Sequence, residues 1–141
     1  MNANDQSDIY LEHAAFGLAG RILFTLIFFA SGITHFTDLA GYVRLMDESI
    51  PYREFWVVLS GVVELVGATC VLTNRYPRFG AWLIVIFLVP VTIVVHGAAM
   101  VVAVDESMRQ IQLSFFLKGL AMTGGALLVT QLGVASPTRS D

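Results

Sequence analysis

"FGAWLIVIFLVPVTIVVHGAAMVVAV", residues 79–104, runs for twenty-six positions without one Asp, Glu, Lys or Arg. A helix on the surface of a soluble bundle keeps a polar face, and this stretch has almost none. About 20 apolar residues cross a ~30 Å hydrocarbon core at 1.5 Å rise per residue, so the stretch reads as a transmembrane helix. Three more blocks read the same way: "GLAGRILFTLIFFASGITHF" (17–36), "FWVVLSGVVELVGATCVLT" (55–73) and "QLSFFLKGLAMTGGALLVTQLG" (112–133). The expected fold is all-α: an integral membrane four-helix transmembrane bundle.

Composition agrees. The 141 residues are 56% hydrophobic and 13% charged, about half the charged share of a soluble domain, and the mean hydropathy is +0.73. A net charge of −3 leaves no basic surface for nucleic acid. Cys70 is the lone cysteine, which excludes an internal disulfide and any CxxC metal or redox motif. The sequence carries no haem, flavin or metal motif. Residues 1–16 form a polar, acidic N-terminal segment without the basic start of a signal peptide, so the first span is expected to be retained. Residues 17–133 make the bundle, and 134–141 form a tail expected to fray.

Four spans put both termini on one side. Arg21, Arg75, Arg78 and Arg139 fall on that side, and Arg44, Arg53 and Arg109 on the other. The positive-inside rule then places both termini in the cytoplasm. The first loop, 37–54, is long enough for a short helix. Thr37 or Asp38 can cap it, and Leu39, Tyr42, Val43 and Met46 share a face that suits the outer interface. "NRYPR" (74–78) is a tight turn between spans two and three.

The spans carry polar residues where polarity is expensive. Glu64 lies in "SGVVELVGATCVL" (60–72), where a charge costs about 2.5–3.5 kcal/mol. Ser60, Gly61, Glu64, Gly67 and Ala68 share one helical face, and small residues admit a neighbouring helix, so Glu64 is expected to point into the bundle. His96 follows Thr92 by four residues, below the helix-bending Pro90. Counted from the expected span ends, Glu64 is ~13 Å deep, and His96 and Lys118 are ~10 Å deep. Three ionisable residues on three helices then fall in one layer, with Glu64 expected to pair with Lys118. That pair either does chemistry or fastens helices two and four, and Lys118 can alternatively snorkel to the interface. His35, one turn after Ser31, is expected at the mouth of the same cavity, too near the surface to pair with His96 as a haem ligand. His13 is expected to be solvated, and the phenylalanines of spans one and four to pack or face lipid.

Together "GRILFTLIFFASGITHF", "SGVVELVGATCVL", "LVPVTIVVHG" and "FFLKGLAMTGGALLV" resemble the DoxX family of small four-helix membrane proteins, from about Gly20 to Val129. The chain departs from the family in Gly119, where asparagine is expected after the lysine. The resemblance implies a redox-associated subunit, since the family takes its name from subunits of a thiosulfate:quinone oxidoreductase. It also maps Glu64, His96 and Lys118 onto the family's intramembrane polar positions. The expected location is the cytoplasmic membrane of a bacterium or archaeon.

Three functions are open on this reading. In the first, a quinone or similar lipophilic ring binds at Glu64, Thr92, His96, Lys118 and His35, with Glu64, His96 and Lys118 catalytic. In the second, the chain is a non-catalytic accessory subunit with other membrane subunits as partners. The third, a small transporter, lacks the repeat common in such carriers.

Overall fold

A computed structural model describes residues 3–131 of the chain, with side chains from residue 13 onward. All regular structure among the described residues is helical. Helix α1 (Ala3–Thr37) carries the first span in its His13–Thr37 part. Helix α3 (Arg53–Leu72) is the second span and α6 (Glu106–Thr130) the fourth. The third, Pro77–Val102, is composite: α4 (Pro77–Pro90), a π-helical stretch (Val91–Gly97) and α5 (Ala98–Val102). All four are long and apolar enough to cross a membrane, and large apolar side chains stay exposed on each of them. The protein is an integral membrane helical bundle in contact with lipid.

Local chemistry sets the element ends. The short helix α2 (Leu39–Arg44) starts at Asp38, whose carboxylate accepts from the Gly41 N–H at 3.1 Å. Pro77 opens α4, where a missing N–H costs nothing. Between those spans Asn74 takes a left-handed φ of 55°, tolerated by its short amide side chain. Helix α6 begins six residues before the expected Gln112, because Asp105 caps it. Its carboxylate accepts from the Met108 N–H at 3.0 Å and from the Ser107 hydroxyl. The expected tail, 134–141, lies outside the described residues.

Helix α3 packs between α1 and α4, and α4 packs between α3 and α6. Two glycine notches set those approaches. A Cβ on Gly61 would stand 2.8 Å from His35 Cβ and 3.2 Å from the Gly32 carbonyl of α1. A Cβ on Gly80 of α4 would stand 2.5 Å from the Gly67 carbonyl and 2.6 Å from Cys70 Cβ. Only glycine permits such contact, and close backbone packing is what joins helices in lipid. Phe28, Ala68, Val71, Ala81, Ile84, Val85, Leu88 and Ala126 form the core.

The π-helical stretch follows Pro90 directly. Proline has no N–H to give the Ile86 carbonyl, and the ladder widens from i→i−4 to i→i−5 bonds just beyond it. Thr92 and His96 both lie on this widened segment.

Candidate functional site

The two glycines of G-x-x-E-x-x-G flank Glu64. Gly61 draws α1 against one side of α3 and Gly67 draws α4 against another, so the carboxylate between them has 0% exposure. Its nearest polar groups come from α1. Ser31 Oγ donates to Glu64 Oε1 at 3.3 Å, and His35 Nδ1 stands 3.9 Å from Oε2. The second distance is a contact, too long for a hydrogen bond. His35 Nδ1 instead donates to the Ser31 carbonyl at 2.8 Å. A carbonyl can only accept, so Nδ1 carries a hydrogen, and Nε2 has no hydrogen-bond partner among the described residues. Oε2 of Glu64 is left without a partner among the described residues.

Helix α2 closes one end of this cluster. The Tyr42 ring stacks on His35 with centroids 3.9 Å apart, and Phe87 of α4 meets the imidazole edge-on at 6.1 Å. Thr34 spends its one hydroxyl proton on the Ser31 carbonyl at 2.8 Å, so the 2.7 Å contact with Tyr42 is a donation from the phenol. His35 is thereby 4% exposed: it belongs to the interior, and the expectation of a residue at a cavity mouth is corrected.

His96 belongs to a second cluster. Its Nδ1 donates to Gln112 Oε1 at 3.0 Å, and its ring stacks on Phe115 at 5.2 Å. Lys118 Nζ lies 5.4 Å from the centroid of that same Phe115 ring, and Lys118 is exposed. His96 lies nine positions beyond Phe87 along the third span, about two helical turns away through the π-helical stretch. The expected single layer is therefore two tiers. Glu64 is engaged by Ser31, and no Glu64–Lys118 ion pair exists among the described residues. Thr92 lies against Gly119, 2% exposed, with Oγ1 unpartnered among the described residues. Among those residues no three His, Cys, Asp or Glu side chains converge as a metal site.

The model of the DoxX family matches residues 16–97, more than half of the chain. The protein belongs to the DoxX family. No curated protein and no solved structure matches it. The matched region of this DoxX chain holds Ser31, His35, Glu64, Thr92 and His96, and it ends before α6. Lys118 and Gln112 stand outside it.

Sequence reasoning missed Ser31, Thr34 and Tyr42 as members of the Glu64 cluster, and Gln112 as the partner of His96. One signal was available in this DoxX protein. "SGITH" (31–35) and "SGVVE" (60–64) share a Ser-Gly-x-x-polar pattern, and their glycines, Gly32 and Gly61, are the two that face each other.

Proposed function

We propose that this DoxX protein is the membrane subunit of a redox system and takes a quinone or similar lipophilic ring at the Ser31–His35–Glu64 cluster. One observation carries the reading: a fully buried carboxyl keeps one oxygen without a partner among the described residues, 3.9 Å from the imidazole of His35. Such an orphaned atom fits a carbonyl or hydroxyl ligand, because an unmet buried polar group costs free energy until something bonds it. A quinone, when bound, supplies the electron-accepting chemistry, and its reduction needs protons where bulk water is scarce.

The chain's own residues divide the rest. Glu64 holds and exchanges a proton at Oε2. Ser31 fixes the other carboxyl oxygen, so the free one keeps its direction. The Ser31 carbonyl fixes the His35 tautomer, leaving Nε2 able to accept a proton or, once protonated, to donate one. Tyr42 and Phe87 hold the imidazole in plane and exclude water. His96, Thr92 and Lys118, in the outer tier, tune entry rather than proton exchange. The membrane is taken to be the cytoplasmic one, with both termini inside, on the arginine balance.

The test is native mass spectrometry of the protein extracted from its own membrane, paired with Glu64→Gln. The amide preserves an acceptor for Ser31 and removes the exchangeable proton. The expected result is a bound quinone-class mass on the wild type, and about tenfold or greater loss of occupancy in the variant at an unchanged melting temperature. Equal occupancy in the variant overturns the role of Glu64.

A second reading, a non-catalytic accessory subunit, is favoured by Lys118. This exposed ammonium is twelve residues into α6, where lipid is a poor solvent for charge and a partner's carboxylate a good one. Partner chains without any small molecule in the same spectrum would establish it.

A further inference from the structure

The end of the bundle opposite α2 carries a feature the Glu64 cluster does not use. An open groove of about 580 Å³ lies at the α3–α4 turn, lined by Arg75, Tyr76, Pro77, Arg78, Phe79 and Trp82. Its polar end holds two guanidinium groups, both exposed. Neither has a hydrogen-bond or ion-pair partner among the described residues. The sequence offers no local carboxylate either, since no Asp or Glu occurs between Leu65 and Val104. The apolar end is aromatic: Tyr76, Phe79 and Trp82 are 61%, 57% and 49% exposed.

The groove's position along the span decides what it can hold. Helix α4 begins at Pro77, so Trp82 lies five residues, about 8 Å, inward from the helix end. The arginines therefore sit at headgroup depth and the rings of Phe79 and Trp82 beside the first acyl carbons, the usual place of an aromatic belt. Phe79 and Trp82 are three positions apart on α4, so both rings line one side of the groove. A planar guanidinium takes a phosphate oxygen pair through parallel N–H donors, and two of them lining one groove favour a net negative headgroup over a zwitterionic one.

We infer that this groove binds an anionic phospholipid, its phosphate between Arg75 and Arg78 and an acyl chain along Phe79 and Trp82. The site is independent of the Glu64 cluster. A basic residue near an anionic leaflet enriches the anion on the order of fivefold, so the pair gives a clear selection even when anionic lipid is scarce.

The experiment uses the full chain in phosphatidylcholine nanodiscs, with Trp56→Phe leaving Trp82 as the only tryptophan. Brominated phosphatidylglycerol and brominated phosphatidylcholine are added separately at the same low mole fraction, and quenching of Trp82 is read. The expected result is severalfold stronger quenching by the anionic lipid, falling to parity in Arg75→Gln/Arg78→Gln. Equal quenching by the two lipids in the Trp56→Phe protein overturns the inference without recourse to the arginine variant. So does a preference that survives in the double glutamine variant. Relief of the quenching by excess inorganic phosphate at constant ionic strength would make the occupant a soluble anion, and also overturns it.

Discussion

At the scale of single residues, Glu64 is placed by the small side chains that share its face of α3. Small residues at Gly61, Gly67 and Ala68 announce a helix face that another helix can approach closely, and all three are buried with Glu64. Depth counting along the sequence points to Lys118 as the partner, because depth is additive along one helix. Which helices adjoin is a property of the assembled bundle, and α3 packs on α1 and α4. The α6 end also moved: the Asp105 cap starts that helix at Glu106, which shifts the origin of every count along it. Gly119 shows what one residue does beside Thr92. A Cβ there would run into Thr92 Oγ1 and stand 2.9 Å from Thr92 Cγ2. Gly119→Ala is expected to destabilise the bundle by about 1–3 kcal/mol, the usual cost of overpacking, read as a lower midpoint of thermal unfolding in detergent. Adding Thr92→Ala should recover most of the loss. Additive losses in the double variant would mean that the clash lies elsewhere.

At the scale of elements, the apolar runs predicted four spans, and the structure has them. The π-helical stretch in span three was not legible as such. Pro90 marks a broken ladder, but proline can end, bend or widen a helix, and the surrounding packing chooses. The short helix of the first loop was legible because its cap and its apolar face coincide, and Asp38 is the cap observed. What the sequence could not say is that α2 folds inward over His35. That depends on a stack between Tyr42 and an imidazole seven positions earlier, across a change of direction. The α6 cap allows a pH prediction. Hydrogen bonds from the Ser107 hydroxyl and the Met108 N–H hold the Asp105 carboxyl below its ordinary range. Its folded state thus favours the carboxylate, so the cap's contribution is complete at neutral pH and is lost only as pH falls through the lowered value. Amide protection at Met108 and Arg109, corrected for intrinsic exchange, should stay flat through neutral and mildly acidic pH and drop in strong acid. In Asp105→Asn the cap should persist and the acid drop vanish. A drop that persists in the asparagine variant would assign the transition to another group.

At the scale of the molecule, four spans require the first loop and the α3–α4 turn to emerge on opposite faces. In a Cys70→Ala background, Ser49→Cys and Asn74→Cys should react with a membrane-impermeant maleimide from opposite sides of sealed vesicles. Reaction of both from one side would refute the four-span arrangement. The polar content of the bundle is divided just as sharply. Ser31, His35 and Glu64 are gathered between α1 and α3, while His96 and Lys118 meet at the Phe115 ring and Gln112 bonds His96. This division also bears on how the chain is made. During synthesis α1 leaves the ribosome first, so Ser31 and His35 already stand in the bilayer when α3 arrives with its carboxyl. The costly side chain meets its hydrogen-bond donor on entry, and it never waits in lipid for α6, which emerges two spans later. The hairpin of α1 and α3 is in this sense a nursery for Glu64, assembled from the first two of the four spans.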